Sequence, residues 1–342
     1  RGRARNTMHR RLDKKDDDNK VPRVCIDYFF MSDKDKDSNK NPMLVMVDDI
    51  TKEKYARAVG KKGVGTEGEM EWLIKDISTE LQVWGHAGGE GGSLIIKSDS
   101  ENSIVALRNA ISKYHGGRIV PEAPAKGESP SNGAVEEAGK TVREFVRVLK
   151  DQVEERTGIT VEGGDVITSW MIRWSAMLTS RFAVGKDGRT PHERRRGRKC
   201  AIPVVPFGEM VWYKEIRKTK ARDNKLNSDW FKGIWLGHSR SSNEVLIGTK
   251  TGVVRAYSIK RLSEDQRWSG EAIKEMRGTP QQPDPSRPGL HVPIRVNFDE
   301  RESEEVAEET VDKEIVRRRM KLSQSILDNY GTTEGCEGCR TQ

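Results

Sequence analysis

Apolar positions recur along this chain with two different periods, and each change of period marks an element. VCIDYFFM and MLVMVDDI are short, β-branched and aromatic runs parted by the polar SDKDKDSNKN, a strand–loop–strand signal to which YARAV adds a third strand. GEMEWLIKDISTELQVW then places Met70, Leu73, Ile74, Ile77, Leu81 and Val83 at helical intervals. The glycine-rich GHAGGEGG breaks that helix. SLIIKSD predicts a fourth strand, NSIVALRNAISKY a second helix and RIVPEA a fifth, shorter strand. From Ala134 to about Arg156, Val135, Ala138, Val142, Phe145, Val146, Leu149 and Val153 form one apolar stripe of a long helix. VITSWMIRWSAMLTSRF makes another, with Trp170, Met171, Trp174 and Met177 on one side. Strands first, then strands and helices in alternation, then helices: this order predicts an α/β fold, a mixed five-stranded sheet with helices on both faces.

Beyond the basic run HERRRGRK the pattern is strand-like only. FGEMVWYKE, WFKGIWLGHS, EVLIGT and GVVRAYSI, with turn residues between them, predict a small β-barrel-like domain. Trp212, Trp230 and Trp235 are expected in its core. The expected divisions are a charged tether at 1–20, the α/β core at 21–185, a basic connector at 186–204 and the β domain at 205–263. A Pro-rich linker at 264–303 and a polar helix with a CxxC end at 304–342 follow, the tail being mostly disordered. The chain does not begin with Met and is expected to be a piece of something longer.

Charged residues make up 33% and hydrophobic ones 34%, so dense packing throughout is excluded. Lys and Arg outnumber Asp and Glu by 61 to 53, a net charge of +8. That surplus is an electrostatic footprint for nucleic acid or an acidic membrane surface. No uninterrupted apolar run approaches the length of a bilayer crossing and no secretory signal is visible, so no membrane partner is expected. Cysteines at 25, 200, 336 and 339 are too few and uneven for a disulfide framework.

The candidate chemistry is carboxylate chemistry. Asp27 sits among apolar strand residues, where a carboxylate must be desolvated, paired or bound to metal. Asp99 stands at the carboxyl end of its strand, the side on which open α/β sheets build sites. Glu136 lies in the first turns of the long helix, with Lys140, Arg143 and Arg147 within roughly 40° of it and the apolar stripe more than about 100° away. Taken singly, Asp27 reads as a buried turn-former, Asp99 as the N-cap of the helix after it and Glu136 as a solvated dipole partner. Taken together, they suit phosphodiester chemistry: carboxylates hold Mg²⁺ or Mn²⁺ as a two-ion site, and the cations hold a DNA backbone beside it.

These motifs resemble the catalytic core of retroviral-type integrases, in particular the copia retrotransposon branch, whose fold is ribonuclease H-like. The family carries an Asp on the first strand, an Asp after the fourth and a Glu on the next long helix. Here those positions are Asp27 in VCIDYFF, Asp99 in IIKSDSEN and Glu136 in SPSNGAVEEAGKTV. The interval from Asp99 to Glu136 is one residue longer than is usual in the family. MVDDITKEKYARAV is similar to the family's second and third strands, SNG to its short Asn-Gly signature, and RTPHERRRGRK with FGEMVWYKE and FKGIWLGHS to the region after the copia core. The resemblance spans roughly 21–263. Where the family reads Asp-Asn-Gly, this chain has Asp99-Ser100-Glu101, and Glu137 stands where Arg is frequent; both departures add negative charge.

The resemblance implies metal-dependent insertion of retrotransposon cDNA ends into target DNA, with Asp27, Asp99 and Glu136 as catalytic and metal-binding residues. It also implies multimers of the chain and a nuclear site of action after a cytoplasmic stage. A nuclease of the same fold, or a non-catalytic DNA-binding protein derived from an integrase, is the alternative. Arg194, Arg195 and Arg196 are further candidate DNA contacts, though a basic run of this length reads equally as an import signal or a solvated face. Cys336 and Cys339 are half a possible Zn²⁺ site. GKKGVGT and GHAGGEGG lack the Gly-Lys-Ser/Thr of a nucleotide loop and read as flexible loops, one of which frames the site.

Overall fold

The computed structural model describes residues 21–32, 36, 42–63, 67–86, 92–123, 132–215 and 229–287. The tether 1–20, the polar helix at 304–328, the tail and the pair Cys336 and Cys339 lie outside the described residues. Contacts divide the chain into Arg1–Asp299 and Glu300–Gln342, and every described residue belongs to the first unit.

The core runs β1 (Arg23–Phe29), β2 (Met43–Asp48), β3 (Lys54–Ala58), α1 (Glu67–Trp84), β4 (Ser93–Lys97), α2 (Asn102–His115), β5 (Arg118–Glu122), α3 (Gly133–Thr157) and α4 (Val166–Phe182). Its strands form one sheet in the order β3-β2-β1-β4-β5. The first three pair antiparallel, whereas β1–β4 and β4–β5 are parallel. The strand period sorts side chains into two cores. Cys25, Val45, Val47 and Ala56 face α3 and α4, and Val24, Ile26, Leu44 and Met46 face α1 and α2. This is the mixed sheet, covered on both faces, that the apolar pattern predicts.

Helix α3 crosses β1 at close range. A Cβ added at Gly139 would lie 2.7 Å from the Phe29 ring, so the crossing needs a residue without one. The helix buries Val135, Ala138, Val142, Val146, Leu149 and Val153, while Phe145 is only half-buried. Gly158, at φ 70°, ends it in a left-handed cap whose N–H donates to the Glu154 carbonyl.

The basic connector folds as α5 (Pro191–Arg196), started by a capping box in which Thr190 and Glu193 exchange hydrogen bonds. Four strands, β6 (Met210–Glu215), β7 (Phe231–His238), β8 (Val245–Thr249) and β9 (Gly252–Arg261), close into a barrel. Its interior is continuous with the α3/α4 core: Trp235 meets Trp174 edge-on at 4.9 Å, and Gly237, at φ 106°, leaves room for the Trp174 ring. Of the three tryptophans expected inside the barrel, only Trp235 is. Trp212 and Trp230 stay half-exposed beneath Lys232 and Lys260, at 5.0 and 4.5 Å, where the ammonium over each indole face keeps its hydration. The segment read from its prolines as a linker packs onto the rest of the fold as far as Pro283, whose carbonyl accepts from the Val253 N–H. After α6 (Gly270–Glu275), the Gly278 carbonyl accepts from Trp170 Nε1 (2.8 Å) and Gln281 Nε2 donates to the Ala58 carbonyl (2.8 Å).

An exposed helical Gly→Ala change ordinarily stabilises by about 0.5–1 kcal/mol. At Gly139 overpacking against Phe29 is expected to outweigh that gain, so Gly139→Ala should destabilise by about 1–2 kcal/mol in urea unfolding. A variant more stable than the parent would show that the crossing is looser than described.

Candidate active site

The parallel ladder sets the site. Its last β1–β4 pair is Cys25 with Lys97; two residues further on each strand come Asp27 and Asp99, where β4 has ended. Asp27 shares the face of Cys25 and of its β2 partner Val45, the face covered by α3. Burial pushes the Asp27 carboxyl up to about 6; the Tyr28 backbone N–H, donating to Oδ1 at 2.8 Å, pulls it back, and the Asp99 charge pushes it up again.

Asp99 is not the N-cap of α2. That position belongs to Glu101, which makes no side-chain cap bond. The Asp99 Oδ1 instead accepts from Asn132 Nδ2 at 3.1 Å, and Asn132 is the N-cap of α3, 2% exposed, with its own Oδ1 without a partner. Glu136 follows one turn later on α3, within about 60° of both Asn132 and Gly139 on the helix circumference, and is exposed. Asp27 and Asp99 are thus brought together, and Glu136 is placed on the adjoining helix side without joining them. Among the described residues no group of three His, Cys, Asp or Glu side chains is arranged to hold a metal ion.

The GKKG loop borders the pair. Gly63 N–H donates to the Tyr28 hydroxyl (3.3 Å), and Lys62 lies 5.1 Å from the centre of the Phe30 ring. Lys62 Nζ reaches both oxygens of Glu101, at 3.2 and 3.0 Å, and the Ser103 hydroxyl donates to Oε1 at 2.7 Å. Burial pushes Glu101 up, but Ser103 and Lys62 outweigh it and hold its carboxyl below the usual range. Lys62 also draws Asp27 down. The extra negative charge at Glu101 is therefore answered by a cation from the loop, a partner that sequence reasoning missed although it saw the loop. Paired lysines between glycines were the available signal.

The other predicted contacts divide. Lys140 and Arg147 are exposed and Arg143 half-buried, on the same side of α3 as Glu136. Arg194 is engaged by Asp187 (Nε to Oδ2, 2.9 Å) and by the Thr51 carbonyl. Arg195 turns inward, donating to Glu53 Oε1 at 3.0 Å and the Val83 carbonyl at 2.9 Å; Glu53 is 2% exposed. Of the three arginines, Arg196 is the exposed one.

The donor set fits a hard divalent cation. Two carboxylates stand close enough for the Asp99 charge to raise the Asp27 carboxyl, and a buried amide oxygen has no partner; all are oxygen donors, with no thiolate or imidazole among them.

Because the Asp27 carboxyl titrates near 6 in the fold against 3.8 as its ordinary value, the fold binds its proton more tightly than the unfolded chain does. Its stabilising share is present below pH ~4 and lost as pH rises through about 6. Asp27→Asn should therefore melt higher than the parent at pH 8, by about 2–3 kcal/mol, with the gap closing toward pH 4. Thermal melts across that range check it, and a variant less stable at pH 8 refutes the desolvated carboxylate. Arg195→Ala should cost about 3 kcal/mol by stranding part of the buried Glu53 charge, while Arg196→Ala leaves stability unchanged in the same denaturation series.

No protein-family model matches the chain, and no curated protein matches it. Solved structures do. One is the HTLV-2 integrase catalytic core domain in complex with magnesium, in its dimeric form: 10% identity, 52% of this chain and 97% of that chain covered, TM-score 0.34. Another is the simian T-cell lymphotropic virus intasome in complex with the PP2A regulatory subunit B56 gamma: 12% identity, 71% of this chain and 82% of that chain covered, TM-score 0.33.

Proposed function

We propose that this chain is a retroviral-type integrase core of the copia branch, with a ribonuclease H-like fold, that joins retrotransposon DNA ends to target DNA in the nucleus. The observation that carries this reading is the parallel β1–β4 pairing that ends at Cys25 and Lys97, two residues before Asp27 and Asp99, beside the helix that bears Glu136. The order of the sheet, antiparallel on one side of β1 and parallel on the other, supports the fold.

In strand transfer a 3′-hydroxyl oxygen attacks a phosphodiester phosphorus. One P–O bond forms, the target strand's bond to its 3′-oxygen breaks, and the proton lost by the nucleophile is regained by the leaving oxygen. Mg²⁺ or Mn²⁺, when bound, supplies Lewis acidity to the nucleophile and to the developing charge. Asp27 and Asp99 are the residues that would hold it, and Glu136 would become a third ligand only by turning in from its exposed position on α3. Asn132 holds Asp99 in place from the buried cap of α3. Lys62, Lys140, Arg143, Arg147 and Arg196 are the proposed contacts to the nucleic-acid backbone, which fix register without reading sequence. A second copy of the chain is the expected partner, on the family resemblance.

A second reading rests on the position of Glu136, exposed and outside the Asp27–Asp99 pair: a protein that binds DNA without joining it. Mn²⁺ titration separates the two, since a catalytic site takes up the ion and loses it in Asp27→Asn, whereas a non-catalytic one does not bind it.

With 3′-hydroxyl duplex ends and Mn²⁺, the parent is expected to give covalently joined strands, and Asp99→Asn or Glu136→Gln to give none. An unchanged rate in Asp99→Asn removes that residue from the assignment, and free ends without joined strands make the protein a nuclease. Lys62→Ala should weaken DNA binding and flatten the dependence of log K on log salt by about 0.9, the loss of one phosphate contact; an unaltered slope leaves Lys62 with Glu101 alone.

A further inference from the structure

Core and barrel enclose a cavity of about 210 Å³, away from the carboxylate pair. Its walls come from β3, α1, α4 and the barrel strands, with Pro280 and Pro283 of the segment after α6 at its rim. Arg57, Arg173, Arg240 and Arg255 all line it. Three of them have carboxylate partners: Arg57 pairs with Asp76 at 2.9 Å, Arg255 with Glu244 at 3.1 Å, and Arg240 with both Glu80 and Glu53. Glu53 is shared further with Arg195.

Arg173 is the surplus cation. Among the described residues no carboxylate lies within ion-pair distance of it. Its Nη1 donates to the His238 carbonyl at 3.1 Å, and its guanidinium carbon lies 5.7 Å from the Trp170 ring centre. Burial, with the Arg57 and Arg240 charges beside it, pushes this guanidinium down to about 9, against the weaker opposing pull of the Asp76 and Glu80 carboxylates in the same cavity. An arginine otherwise keeps its proton throughout the biological range. A cation in that position destabilises the fold unless an anion answers it.

We propose that this cavity is a binding site for a small phosphate-class oxyanion, held by Arg173. Guanidinium presents two parallel N–H donors to two oxygens of a tetrahedral anion, which leaves further oxygens for the neighbouring donors. The Ser239 and Ser241 hydroxyls, 3.3 Å apart, stand on the barrel side of the same cavity. A carboxylate would offer only two oxygens to this set. The bound anion would span α4 of the core and the turn after β7 of the barrel, so occupancy would tighten the contact between them. The site is independent of the Asp27–Asp99 pair and of the reading proposed for it.

Pyrophosphate is the probe, with inorganic phosphate as competitor and sodium chloride at matched ionic strength as control, on the full chain. Pyrophosphate is expected to raise the parent's melting temperature with saturation, and phosphate to compete with it in calorimetric titration. Arg173→Met should lose the shift, binding at least about tenfold more weakly, and should melt no lower than the parent without anion. Arg173→Lys, which keeps the charge, should retain part of the shift. The proposal is overturned if pyrophosphate shifts the parent no more than the salt control, or shifts Arg173→Met equally. It is also overturned if Arg173→Met melts lower than the parent with its anion affinity unchanged, which makes the guanidinium a structural donor to His238. Displacement of pyrophosphate by duplex DNA in the parent, with Arg173→Met losing DNA affinity, would make the cavity part of a DNA interface and likewise overturn the small-ligand assignment.

Discussion

Two like charges held together at the end of a parallel strand pair are the constraint around which the core is arranged. Asp27 and Asp99 repel, and burial of Asp27 increases the cost of its charge. Random packing would part them. Here the hydrogen-bonded ladder between β1 and β4 fixes the backbone positions, and the surrounding groups adapt. The Tyr28 N–H serves one carboxylate and Asn132 the other, while Lys62 lends positive charge from the loop. Gly139 lets α3 approach β1 closely enough for its first turn to deliver Asn132 to Asp99. A segment that stabilises the fold would put an apolar residue at position 27; a polar site costs stability where it works.

The region after the core is held by a second set of charges. Glu53, at the start of β3, receives Arg195 from α5 and Arg240 from the barrel, and Glu80 of α1 shares Arg240. With almost no solvent at Glu53, each of these pairs depends on the others being formed. Apolar contact between Trp174 and Trp235 supplies cohesion without direction. The ion pairs supply direction, fixing how the barrel meets α4 and β3. Of the four arginines that line the cavity, this arrangement leaves Arg173 alone without a carboxylate at ion-pair distance.

Much of the fold was legible because it rests on periodicity. The alternation in VCIDYFF and MLVMVDD separates two cores, and the stripe from Val135 to Val153 buries as its spacing predicts. Phe145 departs from that stripe: it lies at the margin of the apolar arc and is only half-buried. Asp27 and Asp99 were legible singly, as an acid among apolar strand residues and an acid at a strand's carboxyl end, and as a pair through the family resemblance; the β1–β4 register that sets them side by side comes from the fold. What remained hidden depends on partners far along the chain. Arg195 stands in a basic run that looks solvated, but its partner Glu53 lies 142 positions away, and no local pattern announces such a pair. Trp212 and Trp235 are alike as residues in strands; only the pleat and the closure of the barrel decide which is inside. Asn132 was noticed as part of a short signature, but its bond to Asp99 needs the α3 crossing.

The pair Lys62 and Glu101 joins these two lessons. Read from sequence, an acid two residues after Asp99 adds repulsion to a site already crowded with negative charge. In the fold that acid draws Lys62 across the mouth of the site, where the ammonium also lowers the Asp27 carboxyl. Glu101 is half-exposed, so its pairing with Lys62 is worth little in isolation and yields readily to a stronger anion. Lys62 stands 3.0 Å from the Glu101 oxygen that such an anion would replace. The acid that weakens the local field thus also holds a cation beside the Asp27–Asp99 pair, so the added charge at Glu101 is balanced where it stands.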